Sequence, residues 1–473
     1  MLWTALYFPG LPLSVFARAG TGSVAAVVSS ASHRPDVVAA NDAAKRRGIV
    51  AGLSIAAALA LDPEIAIHLR DERAEAAALK SIALWGGQWT STISIEPPAV
   101  VLLEISACLN YFEGLPKLLA RIDAGLAALG FSGVIATAPT ALAASLLARA
   151  GQAIAIEHTV DLEPRLGTLP VALLDSERPI LDTLTGIGVH TIADVLALPR
   201  DGVARRFGQR LLDEIDRARG IQPDPRSLFV PPERYHGQLE LPVPVAEAEA
   251  LLFAAKRLVV ELAGFLQGRG AGVTRLRCDL IHEDAPPTAI VLGLAATRKV
   301  EHIVNVLRER LAREELPDRV EAIRLVSEEI APFPGQDGEL FAGAHRHGES
   351  GKQWIERLRA RLGDDSVREL CFNADHRPEH AWRYRGTTSA SAVPLPADPP
   401  RRPLWLLPRA RPLGVDLASA QLSLLSGPER IESGWWDGGE IGRDYFVGSD
   451  AQGGELWLYR DRGGQWFVHG IFS

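Results

Sequence analysis

The stretch Ile93–Ser106, ISIEPPAVVLLEIS, contains two acids, Glu96 and Glu104. It reads as the end of one strand, a Pro-Pro interruption and a second strand with a small acidic tail. Carboxylates on adjacent strands are the groups that hold paired divalent ions for nucleotidyl transfer. One ion lowers the pKa of the attacking hydroxyl, and both stabilise charge developing on the phosphate. That chemistry needs several acids converging on one strand end. Here Glu96 precedes the prolines and Glu104 lies several residues further along the second strand.

A second pattern concerns phosphate binding. Leu184–Asp194 reads LTGIGVHTIAD and fits a helix-hairpin-helix, hxxhGhGxxxA, with Gly186 and Gly188 in the hairpin and Ala193 on the second helix. Glycines there let the backbone turn tightly and bring N–H groups against a DNA phosphate without reading sequence. Thr185, Ile187 and Thr191 share that hairpin, and Arg205, Arg206 and Arg210 follow as a basic face. The plainer alternatives are a glycine-containing hairpin that touches nothing and a solvated helix face.

Other motifs carry less. GESGK (Gly348–Lys352) lacks the first glycine of a phosphate loop and has Gln353 where a magnesium-binding hydroxyl belongs. GRGAG (Gly268–Gly272) lies between a helix and a strand and reads as a turn. His376 and His380 are separated by Pro378, which disfavours a helix presenting both to a metal. Trp435 and Trp436 are expected in the core of a small C-terminal sheet.

These residues need elements to position them. Over the first 160 residues or so, strands at Leu2–Phe8, Ala25–Ser29 and Gly133–Thr137 alternate with helices at Ile55–Leu61, Glu72–Trp85, Leu115–Leu129 and Thr140–Ala150. Pro170–Pro225 is helical throughout. From Tyr235 the order becomes strand, long helix (Ala246–Gln267), two strands, helix (Lys299–Arg313), strand. Pro332–Gly351 is rich in Gly and Pro and reads as linker, and Ile355–Leu362 as a short helix. The last 45 or so residues alternate short aromatic strands with DGGE, SDAQGG and DRGG turns, the signature of a small antiparallel sheet. The fold class is α+β and multidomain.

The chain has 473 residues, 47% hydrophobic and 23% charged, an ordinary globular composition. No basic segment precedes a sustained apolar run, and Val134–Ala150 is too short or too polar to span a bilayer, so no membrane association and a cytoplasmic location are expected. Cys108, Cys278 and Cys371 lie far apart without CxxC spacing, which argues against a structural zinc site and still more against a disulfide framework. The net charge of −8 means that any DNA contact must come from a local basic face. Residues 231–333 are themselves mixed, with 13 Lys/Arg and 16 Asp/Glu.

The order of elements resembles the Y-family (translesion) DNA polymerases. VAANDAAKRRGIVAGLSIAAAL (Val38–Leu59) resembles their fingers motif. ISIEPPAVVLLEIS resembles their Ser-hydrophobic-Asp-Glu strand followed by Leu-Asp-hydrophobic-Ser, and Ala136–Ala148 their Asn-Lys-x-x-Ala-Lys helix. LWTALYFPGLPL, HRPEHAWRY (His376–Tyr384), RPLWLLPRARPL (Arg402–Leu413) and the tail from GPERIESGWWDGG to WFVHGIFS extend the likeness over nearly the full chain. They resemble a non-catalytic branch, the Y-family-like subunit of a bacterial damage-induced mutagenesis complex.

The resemblance implies palm and fingers over 1–165 (fingers about 24–70) and a helix-hairpin-helix thumb over 166–228. It implies a βαββαβ little finger over 232–333, a linker over 334–351 and a partner-binding region over 352–473. It also implies that the reaction is lost. Tyr7 falls at the family's first Asp, Pro9 at its acidic neighbour, and Ala99 and Val100 at its Asp-Glu pair. Asp42 takes the place of a triphosphate-contacting Tyr, Lys45 that of an Arg, and Ala141 and Ser145 those of two Lys. The implied inventory is no catalytic residue, no metal and no cofactor. Implied partners are primer-template DNA held by backbone contacts, the beta sliding clamp, a RecA-like protein and an error-prone C-family DNA polymerase, in SOS-induced translesion synthesis. QDGELF (Gln336–Phe341) is placed for the clamp, with Gln336 in a polar subsite and Leu340 and Phe341 in a hydrophobic pocket. Two other readings remain: an active polymerase using substitute carboxylates, and a DNA-damage-binding protein acting alone.

Overall fold

The computed structural model describes residues 1–17, 25–29, 35–333, 351–363, 366–385 and 401–472. They form two compact units, Met1–Arg361 and Leu362–Ser473.

Unit one begins with β1 (Trp3–Tyr7), α1 (Leu11–Ala17), β2 (Ala25–Val28), β3 (Val37–Ala40), α2 (Asp42–Arg46), α3 (Ile55–Leu61), β4 (Ala66–Leu69) and α4 (Glu72–Gly86). It continues through β5 (Ile93–Glu96), β6 (Val100–Glu104), α5 (Leu115–Leu129), β7 (Val134–Ala138) and α6 (Ala141–Arg149). The palm sheet has the order β5-β6-β1-β7. Alternate residues of its central strands pack on opposite faces, as a two-residue period requires. Ala5, Val100 and Leu102 join one core with α6, and Leu6, Val101 and Leu103 join another with α4 and α5. The fingers are a separate small sheet, β3-β2-β4, with its own core around Ala26, Val28 and Ile49. The sequence pattern does not foresee α1 and β4. Both are short, and β4 pairs in parallel with β2, forty residues away, which no local periodicity reports.

Five helices follow: α7 (Thr159–Gly167), α8 (Arg178–Gly186), α9 (Ile192–Ala197), α10 (Arg200–Phe207) and α11 (Gln209–Arg219). Their apolar faces share a core with α6. Next come β8 (His236–Val245), α12 (Ala248–Gly268), β9 (Ala271–His282), β10 (Thr288–Thr297), α13 (Val300–Leu311) and β11 (Val320–Pro332). The sheet order β10-β9-β11-β8 with two helices is the βαββαβ arrangement expected of the little finger. GRGAG is the α12–β9 turn, with Gly270 at φ 60°. Helix α14 (Gly351–Leu362) packs on this body. Its Glu356 accepts from Ala295 N–H at 2.6 Å and meets His302 Nε2 at 2.6 Å, both side chains buried.

Unit two holds a ribbon, β12 (Glu369–Phe372) with β13 (Trp382–Arg385). It also holds a five-stranded antiparallel sheet of β14 (Trp405–Pro412), β15 (Ser423–Ser433), β16 (Ile441–Ser449), β17 (Glu455–Asp461) and β18 (Trp466–Ile471), in the order β14-β18-β17-β16-β15. Its core is Ile431, Tyr445, Val447, Trp457 and Tyr459. The expectation for Trp435 and Trp436 is corrected here. They sit in the turn between β15 and β16, 74% and 58% exposed, because that turn lies beyond the ladder and has no facing strand. The Arg377 guanidinium lies over Trp436, 5.8 Å from the ring centre, and Trp435 meets the same ring edge-on at 4.8 Å. Among the described residues no helix is long and apolar enough to cross a membrane, and all three cysteines are free.

Candidate functional site

Antiparallel pairing decides which side chains meet at the end of the palm sheet. Tyr7 lies opposite Val100 on one side and Val134 on the other, while Trp3 lies opposite Glu104 and Ala138. Tyr7, Ala99 and Val100 therefore do converge, and Phe8 N–H donates to Ala99 O at 2.9 Å. Val100 is only 3% exposed and points into the core shared with α6.

Glu104 is at the other end of the same strand, about 13 Å away at 3.3 Å per residue. Its carboxylate accepts from Leu2 N–H and Ser106 N–H, each at 3.2 Å, and from the Ser106 hydroxyl. It is a local cap.

Glu96, which precedes the two prolines, is brought to this strand end. Pro97, Pro98 and Ala99 form a tight connection between β5 and β6, so Glu96 falls directly opposite Val100, which Tyr7 faces from the other side. Its Oε1 accepts from Ser145 Oγ of α6 at 2.9 Å, and its Oε2 accepts from Arg226 Nη1 at 3.0 Å. Arg226 also donates through Nε and Nη2 to Asp224 Oδ2, at 3.0 and 2.6 Å. The same Asp224 oxygen accepts from Leu142 N–H, in the first turn of α6, at 3.2 Å.

These groups border a cleft of about 920 Å³. Its charged lining is Arg70, Arg149, Arg210, Arg217 and Arg226 against Glu75, Glu96, Asp175, Glu214 and Asp224, five of each sign. Arg70 grips Glu75 through two bonds of 2.8 Å, and Arg210 pairs with Asp175 at 2.5 Å. Glu214 accepts twice from Asp175 N–H, at 2.9 and 3.0 Å, and burial pushes its carboxyl above the usual carboxylate range. Opposite charges so interleaved give little net field for a triphosphate.

The fingers residues lie elsewhere, whereas Ser145 of α6 reaches the cleft only through its bond to Glu96. Asp42 opens α2, 85% exposed and 3.4 Å from Lys45, and neither lines the cleft. Ala141 and Ser145 face inward among the buried residues of α6. No group of three or more His, Cys, Asp or Glu able to hold a metal occurs among the described residues.

The helix-hairpin-helix forms as its spacing suggests, α8 and α9 joined by residues 187–191. Gly188, at φ 85°, ends α8 in the left-handed conformation, and Val189 N–H reaches back to Leu184 O at 2.9 Å. Gly186 is the last residue of α8 rather than part of the hairpin, and a Cβ there would meet nothing within 4 Å. The N–H groups of Ile187 and Gly188 already donate to the last carbonyls of α8. Thr185 Oγ1 bonds to Leu181 O, Ile187 is exposed at the tip, and Thr191 caps α9 in a reciprocal box with Asp194. Hydrogen bonds from Thr191 and His190 hold the Asp194 carboxyl below its ordinary range. Arg205 and Arg206 are exposed in the last turn of α10, whereas Arg210 is taken by Asp175. Gln336, Leu340 and Phe341, and most of GESGK, lie outside the described residues.

Sequence reasoning missed Arg226 and Asp224. The only local signal is DPR, two opposite charges flanking a proline, and nothing in it indicates Glu96, 130 residues away.

Protein ImuB of Caulobacter vibrioides, strain NA1000 / CB15N, is 26% identical over 466 residues, covering 90% of this chain and all of that protein. The ImuB of strain ATCC 19089 / CIP 103742 / CB 15 gives the same values. This chain resembles ImuB. The likeness runs through both compact units, as the opening and C-terminal segments suggested. No family model matches the chain. Among solved structures, DinB from Sulfolobus solfataricus is 15% identical and covers 70% of this chain and 100% of its own, with a TM-score of 0.40. An insertion ternary complex of Dbh DNA polymerase is 16% identical and covers 69% and 98%, with a TM-score of 0.41.

Proposed function

We propose that the chain is a non-catalytic, Y-family polymerase-like adaptor in SOS-induced, error-prone translesion synthesis. It acts in the cytoplasm on primer-template DNA. It links the beta sliding clamp, RecA-like ImuA and an error-prone C-family DNA polymerase.

The observation that carries this reading is the state of Glu96. It is the one acid opposite Val100 at the palm-sheet end, and both its oxygens are taken, by Arg226 and by Ser145. A metal pair needs several unengaged oxygens from converging acids. Here the neighbouring positions are Tyr7, Ala99 and Val100, so the donor set does not fit two divalent ions. The sheet face of the little finger supports a modest role in DNA affinity. Arg275 is paired with Glu328 and Arg277 with Asp279, each at 2.7 Å, which leaves few cations for phosphate. In the second unit the ribbon exposes Leu370, Phe372, Trp382 and Tyr384 on one face, an apolar surface suited to the protein partners.

Primer extension by the purified protein with magnesium or manganese tests the central claim. No extension is expected. Templated extension that is abolished by Glu96→Gln would overturn it and restore the reading of an active enzyme with a substitute carboxylate. Co-purification with the clamp, the RecA-like protein and the polymerase tests the adaptor role, and a chain that holds none of them acts alone.

A further inference from the structure

The palm cleft contains two carboxylates that touch one guanidinium. Arg226 reaches Glu96 Oε2 at 3.0 Å and Asp224 Oδ2 at 2.6 Å, and the three side chains are only 16%, 24% and 15% exposed. The acids come from different places. Glu96 ends β5, Asp224 follows the five-helix segment, and Asp224 is tied in turn to the first turn of α6 through Leu142 N–H. A few residues on, Phe229 N–H donates to Ile93 O at 2.8 Å, which fastens the same segment along β5.

We infer that Arg226 is the resident cation of the Glu96–Asp224 pair in this cleft. It balances two facing, largely buried acids and thereby staples the segment 224–229 across the end of the palm sheet. The inference deepens the non-catalytic reading and rests on it. The physical reason is the cost of removing one partner. Two carboxylates within reach of one guanidinium repel each other once it is gone, and at 24% and 15% exposure water screens that repulsion only in part. With Arg226 removed, a single divalent cation completed by water is expected to answer the charge of the two acids. Arg226 therefore excludes such an ion from the cleft by occupying its place.

The test uses the full chain and manganese alone as the probe. Wild type is expected to bind no manganese at the cleft by electron paramagnetic resonance and to melt at the same temperature with or without it. Arg226→Gln should melt roughly 4–10 °C lower. It should bind about one manganese ion at millimolar concentration and recover part of the lost melting temperature. The double variant Glu96→Gln/Arg226→Gln should show neither the ion nor the recovery. If Arg226→Gln does not fold, Arg226→Lys replaces it. A single ammonium spans the two acids poorly, so a manganese response is again expected. A folded Arg226 variant indifferent to manganese overturns the inference, as does wild type binding manganese in a manner lost with Glu96→Gln. Primer extension by wild type would sink the proposed function while leaving the response of the variants to be judged separately.

Discussion

Trp85 occupies the space that a side chain at Gly264 would need. A Cβ on Gly264 would lie 2.6 Å from Trp85 Cδ1 and 2.9 Å from Trp85 O. Helix α12 of the little finger thus crosses α4 of the palm at backbone distance, and Gly268 makes a similar approach to Gly87. Gly264→Leu is expected to destabilise the first unit by about 3 kcal/mol, at the upper end for overpacking because backbone atoms cannot retreat. Gly293→Ala is the control, with nothing within 4 Å of its added Cβ. Urea unfolding midpoints should separate the two, and equal midpoints would mean that the crossing is loose.

The hairpin between α8 and α9 should separate fold from DNA contact. Gly188→Ala strains a left-handed backbone and should cost about 1 kcal/mol. Gly186→Leu projects into open space and should leave the melting temperature unchanged while weakening DNA binding equally across sequences. Arg205→Ala and Arg206→Ala should each reduce the slope of log affinity against log salt by about 0.9. Affinity measured over a salt series decides it, and unchanged slopes remove that face from the interface.

We propose that Gln336, Leu340 and Phe341 bind the clamp. Burying the two apolar side chains is worth about 3–6 kcal/mol before ordering costs, short of the roughly 8 kcal/mol of a micromolar complex, so the Gln336 and backbone contacts must supply the rest. Changing all three to Ala should abolish clamp binding in surface plasmon resonance and leave contacts of the second unit intact. Wild-type affinity in the triple variant places the motif elsewhere.

The second unit should lose stability on acidification in two windows. Tyr445 OH lies 2.8 Å from His469 Nδ1 and 3.1 Å from Arg443 Nη1, and Arg443 in turn donates to Glu379. The guanidinium can only donate, so the tyrosine proton goes to Nδ1 and His469 is neutral with its proton on Nε2. Burial holds the His469 pKa below its ordinary value. A folded value below the unfolded one means that the unfolded chain takes up the proton first. This stability is therefore full above about pH 6.5 and falls as pH drops through the lower folded value. Asp375, held at about 2 by hydrogen bonds from Arg377, gives a second loss between its unfolded value and about pH 2. Hydrogen exchange across 441–471 should quicken from pH 7.5 to 5.5 beyond its intrinsic pH dependence, and His469→Gln should flatten that first change.

Local pattern was enough for the parts of this protein that are local. The α3 and α5 bounds, the βαββαβ order of the little finger and the turn at Gly188 follow from apolar period, glycine placement and propensity, all of which act within a few residues. So does the lack of acids at Tyr7, Ala99 and Val100, since residue types are visible without coordinates. Tertiary structure alone decided what the remaining acids do. Glu96 and Glu104 look equivalent in the chain. The register of β5 against β6 sends one to the cleft and the other to a cap at the far strand end. Arg226 meets Glu96 across 130 residues because the segment after α11 returns along β5, and Trp435 and Trp436 are exposed because their turn has no facing strand. Sequence periodicity reports which face of an element is buried. It carries no information on which distant charge arrives there, because that is fixed by how the elements pack.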